Sequence, residues 1–417
     1  MPCNHLAACF LLVAAVNSIG VDLRNAQGAD PRKPIVVSQQ AVAIHKGSPV
    51  VDGHNDLPWA LRQAGGRFDR FDIASAQPQF HTDIDRLRKG GVGAQFWSVY
   101  VPVSTSRQGS ALTTTLEQIE IVKQMAGQYG DVFELALNTA DIKQIREQGK
   151  IASMIGVEGG HAIEDSINVL RQLYREGARY MTLTHSMSLQ WADSCSDKEI
   201  CGGLSPFGEE VVHEMNRLGM MVDISHVSAN CMRHTLRVTK APVIFSHSSA
   251  RSVADHPRNV PDDVLQTLKG NGGVVMINFF NDFINPTDAK RSRKKSELRE
   301  KLREEFSDSE QADAELRKWE LVNPRSQLCT VHDVLDHIEH VIHVAGVEHV
   351  GIGSDFDGVP VLPKQLEDVS MYPVITQGLL DRGYTEAEIR QVLGENVIRV
   401  FRGVEATADR INGNSTP

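Results

Sequence analysis

Residues 151–161 read IASMIGVEGGH, a short apolar run that ends in a carboxylate, two glycines and a histidine. A near-continuous apolar run, rather than an alternating one, is typical of a strand buried on both faces of a parallel sheet. Similar runs recur along the chain, and segments with helical periodicity separate them, as in residues 162–176 and 207–218. The predicted strands are residues 49–52, 94–101, 151–157, 180–184, 220–224, 242–246, 273–278 and 349–353.

Eight strands alternating with helices predict an α/β fold of the (β/α)8 TIM-barrel type. The alternative is a doubly wound open sheet, but no GxGxxG follows the first strand, which argues against a dinucleotide site there. We expect residues 34–417 to form a single barrel catalytic domain with a charged helical insertion at about 286–325. The dense charges of residues 288–317 indicate a solvated surface helix, with a basic ligand site as the alternative.

The N-terminal residues 1–29 are predicted to be a signal peptide followed by a linker. The apolar run at residues 6–16 is shorter than the about 20 residues that span a bilayer, but it suits an export signal. No Lys or Arg precedes it, and a leader without function is the alternative. Residues 6–9 also resemble a lipoprotein acylation box, but they come at the start of the apolar run, whereas such a box follows it. The expected location is outside the cytoplasm: periplasmic, secreted or at the cell surface.

Charge and cysteine content exclude several classes of protein and of site. With 43 Lys and Arg against 53 Asp and Glu, the net charge of −10 is unsuited to nucleic acid. No later stretch is long and apolar enough to cross a membrane, and residues 410–417 are too polar for a lipid-anchor signal. The absence of a CxxC pair argues against a thiolate zinc site. Cys195 and Cys201 either close a small disulfide or remain two thiols.

Side chains of metal-ligating types follow the predicted strands directly. His54 and Asp56 come after the first strand, two residues apart, so both point the same way from an extended backbone. Glu158 follows the third strand, where an unpaired carboxylate is costly, although a helix-capping glutamate is the alternative. His161, further along that loop, is expected to be a loop histidine and not a ligand. The later strands are followed by His185, His226, His247 and Asp355.

In a (β/α)8 barrel the C-terminal ends of the strands form the rim on which active sites are built. A single histidine there is usually structural, but this many ligating residues on one predicted rim indicate a metal site. A catalytic zinc needs only three protein ligands, whereas five ligands with one bridging carboxylate suit two zinc ions. Manganese and cobalt accept the same ligand types. The predicted ligands are His54, Asp56, Glu158, His226 and His247.

Taken together, these motifs resemble the membrane dipeptidase (renal dipeptidase) family of zinc metallopeptidases, and in particular its bacterial-type members. The resemblance runs from about residue 50 to about residue 403 and is specific because the motifs occur in the family's order. They are DGHNDLPW at 52–59, GVEGG at 156–160, DISHVS at 223–228, FSHSSA at 245–250, RNVPDD at 258–263 and GIGSDFDG at 351–358.

The resemblance implies a barrel of the metal-dependent hydrolase type that holds two Zn²⁺ per chain and hydrolyses dipeptides with hydroxide formed at the metals. It implies that Glu158 bridges the two zinc ions, with His54 and Asp56 on one and His226 and His247 on the other. It extends the expected substrates to L,D-dipeptides and some β-lactams. A homodimer is implied by the resemblance alone.

The resemblance also implies roles for residues outside the ligand set. His185 contacts the substrate and stabilises the tetrahedral intermediate, Arg258 holds the terminal carboxylate, and Asp355 binds substrate and shuttles the proton. One position departs from the vertebrate members: Phe283 stands where they have a tyrosine near the substrate, which leaves the fine substrate preference open.

Two other functions remain compatible with the residues. A metal-dependent lactonase or phosphoester hydrolase would use the same centre, because activated water is not selective by itself. An inactive binding protein on the same barrel would be expected to have degraded ligands, and no ligand position is degraded in this sequence.

Overall fold

The computed structural model describes residues 33–65, 70–306, 308–326 and 328–413, so the predicted signal peptide lies outside the described residues. Nine parallel strands form one sheet in the order β2-β1-β9-β8-β7-β6-β5-β4-β3. Their bounds are β1 Val50–Asn55, β2 Val92–Tyr100, β3 Phe133–Leu135, β4 Ile151–Glu158, β5 Ala178–Thr182, β6 Met221–Asp223, β7 Ile244–Ser248, β8 Val274–Ile277 and β9 Val350–Ile352.

The sheet closes into a barrel because β2 also pairs with β4, in register from Ala94 opposite Ala152 to Tyr100 opposite Glu158. The remaining pairs around the ring are all parallel, and β1 pairs with both β2 and β9. The (β/α)8 barrel predicted from the sequence is therefore confirmed, and the open-sheet alternative is wrong. Each predicted strand overlaps one strand of the ring, with ends that differ by a few residues.

The strand β3 was not predicted, since its three residues are too short to give a strand signal. It pairs only with the first half of β4, from Phe133 opposite Ile151 to Leu135 opposite Ser153. The second half of β4, from Ile155, pairs with β5 instead. The extra strand therefore lies beside the barrel wall and does not interrupt the ring.

Helices follow the strands around the outside of the barrel. Ser166, Ser205 and Ser228 each accept a hydrogen bond from a backbone N–H in the first turn of the helix they precede, a common N-cap. The helices are α1 Gln39–Gly47, α2 Leu57–Gln63, α3 Ile84–Lys89, α4 Ser104–Gln108, α5 Ala111–Gln128, α6 Thr139–Glu147, α7 Ile167–Arg175, α8 Pro206–Leu218, α9 Ala229–Val238, α10 Asp262–Asn271, α11 Asn281–Ile284, α12 Pro286–Glu305, α13 Ser309–Val322, α14 Val331–Ala345, α15 Tyr372–Asp381, α16 Glu386–Arg390 and α17 Asn396–Ile411.

Two apolar cores hold these layers together. The larger one lies between the strands and the surrounding helices. The smaller one fills the barrel and is closed at the N-terminal ends of the strands by one face of α17 and part of α6. The side chains that form this floor are Val397, Val400, Phe401 and Val404 of α17 and Ile142 and Ile145 of α6. The floor leaves the opposite end of the barrel, its mouth, as the place for a site.

The charged segment between β8 and β9 forms α12 and α13. These two helices share a small apolar cluster that includes Leu302 and Leu316. Arg325, beyond α13, pairs at 2.8 Å with Asp282 in α11, the short helix that follows β8. The insertion is thus tied to the segment that leaves the barrel after β8.

Among the described helices, none has the length and apolarity needed to cross a membrane. The thiols of Cys195 and Cys201 are not joined in a disulfide.

Candidate metal centre and active site

The predicted ligands meet at the mouth of the barrel. His54 lies near the end of β1, Glu158 is the last residue of β4, and His247 lies in β7. Asp56 directly precedes α2, and His226 lies just beyond β6. All except His226 are at least nine-tenths buried, which is unusual for charged and polar side chains.

Glu158 is the centre of this cluster. Its Oε1 lies 3.1 Å from His226 Nε2 and 3.4 Å from His247 Nε2. Its Oε2 lies 3.5 Å from His54 Nε2 and accepts a hydrogen bond from Ser98 Oγ at 3.1 Å. The two carboxylate oxygens therefore face two different groups of nitrogen atoms.

Asp56 and Asp355 extend the cluster on the His54 side. Asp56 Oδ2 lies 3.2 Å from His54 Nε2. Ligand atoms of His54, Asp56 and Asp355 all lie within 4.8 Å of one another, as do those of His54, Glu158 and His247 and those of Glu158, His185 and His226. Convergence of His nitrogens and carboxylate oxygens at this spacing suits a divalent transition metal.

Hydroxyl groups behind two of the histidines orient the rings. The Tyr180 hydroxyl lies 3.2 Å from the carbonyl oxygen of Gly53, to which it donates, so it accepts from His54 Nδ1 at 2.9 Å. Nε2 is then the atom of His54 left for a metal, and it is buried without a hydrogen-bond partner among the described residues. Metal-binding histidines are typically held through their other ring nitrogen in this way.

His247 is held in the same manner from β6. Ser246 Oγ donates to Asp223 Oδ2 at 2.6 Å, so the same oxygen accepts from His247 Nδ1 at 2.7 Å. Asp223 is fully buried and also accepts from the backbone N–H groups of Ser225 and Ser246. The His247 ring is thereby fixed with Nε2 toward Glu158, and the donor set fits a metal on both sides of that carboxylate.

The electrostatics of the cluster are those of a cation site. Burial would raise the pKa of Glu158, but the surrounding histidines, led by His54, hold it well below its ordinary value. Burial, reinforced by neighbouring positive groups, holds the pKa values of His226 and His247 well below the ordinary histidine value, so both rings are neutral donors. Burial lowers the pKa of His54, but Tyr180, and then Glu158 and Asp56, raise it well above the ordinary histidine value. A metal ion at Nε2 would take the place of that proton.

Asp355 lies beside the cluster in a strained backbone conformation. Its φ is 68°, in the left-handed region that non-glycine residues rarely adopt. One carboxylate oxygen accepts a hydrogen bond from Asn278 Nδ2 at 2.8 Å. Burial, with the nearby negative charges of Asp56 and Glu158, raises the pKa of Asp355 to about 8. A carboxyl group of this kind can hold and release a proton near neutral pH.

Arg258 provides a buried positive charge next to the cluster. Its Nη2 donates to the main-chain oxygen of His247 at 2.9 Å and its Nη1 to Ser248 Oγ at 3.2 Å. Its Nε is buried without a partner, and no described carboxylate forms an ion pair with it. The guanidinium carbon lies 5.2 Å from the centre of the Phe283 ring. A buried guanidinium with spare donors is suited to an anionic ligand.

His185 lies on the open side of the cluster, in the loop after β5. Its side chain is 19% exposed, and its Nε2 lies 3.7 Å from Glu158 Oε1. Its ring packs against those of Tyr100 and His226. His161 is directed elsewhere: its Nε2 lies 3.0 Å from the carbonyl oxygen of Val101, as expected for a residue that is not a ligand.

The sequence analysis missed the residues that support the cluster: Tyr180, Ser98, Ser246, Asp223 and Asn278. One signal was available, since each is a polar group in or next to an otherwise apolar strand. The sequence does not reveal which ligand each supports, because Tyr180 and His54 lie 126 residues apart in the chain.

Comparisons with known proteins identify a family and a fold. The membrane dipeptidase family, peptidase family M19, matches residues 38–415. A probable dipeptidase from Pseudomonas aeruginosa aligns with a TM-score of 0.78 at 21% identity, covering 89% of this chain and 98% of that one. An amidohydrolase from the same organism aligns at 25% identity with a TM-score of 0.67, over 87% and 98%.

A metallopeptidase from Rhodobacter sphaeroides, solved with a phosphinate mimic of the dipeptide L-Ala-D-Ala, aligns at 23% identity with a TM-score of 0.69, over 86% and 99%. These structural matches share the barrel, and the family match spans nearly all of the described chain. The protein therefore belongs to the membrane dipeptidase family and is a peptide-bond hydrolase.

Proposed function

We propose that this protein is a binuclear zinc dipeptidase. Glu158 would be shared by the two ions, with His54 and Asp56 as the further ligands of one and His226 and His247 as the further ligands of the other. The observation that carries this proposal is the division of the Glu158 carboxylate, whose Oε1 faces His226 and His247 while its Oε2 faces His54. Imidazole and carboxylate donors are those of catalytic zinc sites, and zinc is the metal that the family resemblance implies.

When bound, the metals supply the Lewis acid and the activated water of the reaction. Asp355 would take up a proton from water and pass it to the leaving amine, and Asn278 keeps its carboxylate in position. His185 lies on the open side of Glu158 and donates a hydrogen bond to the oxyanion that develops from the scissile carbonyl. The buried surroundings strengthen each of these interactions, since little water competes for them.

Arg258 supports a short peptide as the substrate. Its Nη2 bonds to the main-chain oxygen of His247, the residue whose imidazole faces Glu158. An anion held by the Arg258 guanidinium therefore lies only a short distance from the scissile bond, as does the terminal carboxylate of a dipeptide. Longer peptides would place an amide, with no charge, in the same position.

The neighbour from Rhodobacter sphaeroides, solved with a mimic of L-Ala-D-Ala, supports a D-residue at the second position of the substrate. A β-lactam antibiotic also presents an amide close to a carboxylate, so the same groups would hold it. Both substrates extend the proposal without changing the ligand set.

The test is a comparison of Arg258→Met with the unchanged protein on L-Ala-L-Ala, L-Ala-D-Ala and their C-terminal amides, with zinc content measured on each sample. A charged hydrogen bond contributes about 1.5–3 kcal/mol, so we expect kcat/KM on the free dipeptides to fall by about 10- to 150-fold. Rates on the amides should change little, and zinc content should stay at two per chain.

The matched control is Arg233→Met, which removes a surface arginine paired with Asp263 on another helix. Equal losses on dipeptides and amides would contradict the carboxylate role of Arg258. Faster turnover of lactones or phosphoesters than of any dipeptide would instead favour the other hydrolase functions.

We also propose that the chain is exported and acts as a homodimer. Leu321, Val322 and Leu328 are each more than three-quarters exposed near the end of the insertion and supply an apolar surface for contact with a second copy. Light scattering after gel filtration measures the mass directly, and a monomer at micromolar concentration would contradict the dimer.

A further inference from the structure

A cavity of about 1020 Å³ opens at the end of the barrel away from the metal-ligating cluster. It lies beside the N-terminal ends of β1, β2 and β4, among α1, α6 and α17, and we refer to it as the basal cavity. Its apolar wall is formed by Pro49, Val92, Val132, Ile142 and Ile151. Small-molecule sites typically have volumes of about 300–1,000 Å³ and mostly apolar walls, so the basal cavity has the dimensions of a ligand site.

The charged side chains that line the basal cavity are mainly basic. They are Lys46, Arg88, Lys143, Arg146, Lys150, Arg399 and Arg402, and the acids among them are Glu147 and Glu395. The whole chain carries a net charge of −10, so this excess of positive charge runs against the composition. A concave surface lined by charge of one sign concentrates counter-ions of the other sign.

Three of these basic residues already have partners. Lys150 Nζ lies 2.9 Å from Glu134, and Lys143 Nζ lies 3.8 Å from Glu147. Arg399 donates to two backbone carbonyls at 2.7 and 2.6 Å. Of the other basic residues of the cavity, Lys46, Arg88, Arg146 and Arg402, none forms an ion pair with another described residue.

Arg146 is the least exposed of these four. Its Nε is buried and has no hydrogen-bond partner among the described residues. A Cβ at Gly93 would lie 3.3 Å from that Nε, so the glycine gives the Arg146 side chain room against the start of β2. Burial lowers the pKa of Arg146, which reflects the cost of enclosing its charge. Arg146 is partly buried, and an anion that pairs with its unpartnered Nε would offset the cost of enclosing its charge.

We propose that the basal cavity binds a small organic phosphate, with the phosphate group against Arg146, Arg88 and Arg402 and an apolar body against the wall. Guanidinium groups match phosphate oxygens through paired N–H donors. Such a phosphate could belong to a soluble molecule or to a lipid headgroup. Because the apolar wall lies within a concave cavity, a compact soluble molecule fits it better than a headgroup held in a bilayer. Because the site lies at the opposite end of the strands, its ligand does not compete with the peptide substrate.

The probe is 1-naphthyl phosphate, which combines an apolar ring with a dianionic head, titrated into the zinc-loaded full-length protein by calorimetry. We expect saturable binding at one site per chain, little or no binding of 1-naphthol, and weaker binding of inorganic phosphate. Arg146→Met should weaken binding by about tenfold or more, since it removes a charged hydrogen-bond donor. The double variant Arg88→Gln/Arg402→Gln changes only exposed side chains and should weaken binding similarly without altering the thermal midpoint.

Two controls separate the basal cavity from other anion sites. Arg233→Met changes a surface arginine outside the cavity and should leave the affinity unchanged. Arg258→Met removes the buried arginine of the metal centre and should leave it unchanged as well. Loss of binding in Arg258→Met with retention in Arg146→Met would overturn the proposal. So would the absence of saturable binding, or sedimentation with phosphatidic acid vesicles without binding of the soluble ester.

Discussion

The two ends of the barrel strands use left-handed backbone in different ways. At the N-terminal end, the turns that lead into strands use glycine, which adopts this conformation without steric cost: Gly91, Gly149, Gly177, Gly219, Gly272 and Gly346. At the mouth, His226, Asp355 and Asp357 adopt positive φ although they are not glycine. Such residues cost about 1–3 kcal/mol each, so part of the backbone strain lies beside the ligating side chains.

The side chains at the two ends of the barrel strands also differ. The inner face of the floor is apolar, and Val397, Val400 and Phe401 pack into the end of the barrel. The mouth encloses the polar side chains of Glu158 and His54, and His54 Nε2 has no hydrogen-bond partner among the described residues. The inner face of the floor is held by apolar packing, whereas the buried ligating groups of the mouth would be completed by a bound metal. Changes at the floor should therefore act on stability, and changes at the mouth on metal binding and turnover.

The largest expected effect is that of Glu158→Gln at the mouth. The amide keeps the shape of the side chain but removes the charge and one of the two acceptor oxygens that face the histidines. We expect zinc content to fall below one per chain and kcat/KM on dipeptides to fall on the order of a thousandfold or more, because metal catalysis contributes several kcal/mol.

Metal analysis and initial rates on the same sample measure both effects. The control is Glu164→Gln, an exposed glutamate six residues further along. Normal zinc content in the Glu158 variant would contradict its bridging role.

The second effect is expected from Phe401→Ala at the floor. This side chain is 1% exposed, and its truncation leaves a cavity that the rigid barrel cannot close, so we expect a loss of about 3–5 kcal/mol of unfolding free energy. Activity per folded molecule should remain normal, because none of the predicted metal ligands or substrate-binding residues lies in the floor.

Thermal and urea unfolding, paired with rates corrected for the folded fraction, test this separation. Val36→Ala is the matched control, since that side chain is 83% exposed. A loss of zinc from the folded Phe401 variant would show that the two ends of the barrel are coupled.

The smallest of the three effects is expected from Tyr180→Phe, within the barrel. The ring keeps its packing, but His54 Nδ1 loses the hydroxyl that holds it at 2.9 Å. We expect zinc affinity to weaken by about 10- to 100-fold, as for other residues that orient metal ligands. The unfolding free energy of the metal-free protein should change far less.

Competition with a chelator of known affinity measures the change, with Tyr384→Phe, in the turn between α15 and α16, as the control. Unchanged zinc affinity together with lower stability would assign Tyr180 a purely structural role.

The sequence was informative about features that depend on neighbouring residues. Apolar runs such as residues 151–157 predicted the strands of the ring, because burial on both faces of a parallel sheet requires near-continuous apolar side chains. The rim residues were recognisable for a similar reason, since His54, Glu158 and His247 interrupt or end these runs. The strand β3 escaped prediction because Phe133–Leu135 contains too few residues to carry a pattern.

Other features depended on contacts between distant parts of the chain. The basal cavity draws its basic side chains from segments as far apart as Arg88 and Arg402, which no local pattern connects. The thiols of Cys195 and Cys201 are close in sequence, yet the structure leaves them unbridged. Asp355 and Arg258 likewise meet their hydrogen-bond partners only because the fold brings the segments after different strands to one rim.

The sequence by itself therefore determined the barrel, its family and which residues are candidates for metal ligands, because periodicity and side-chain type are local properties. The tertiary structure alone decided which oxygen of Glu158 faces which histidines, which nitrogen of His54 is left for a metal, and how Arg258 is held without a carboxylate partner. These are matters of distance and direction among side chains from different strands. They are set only when the sheet closes and brings the ends of β1, β4 and β7 to a common mouth.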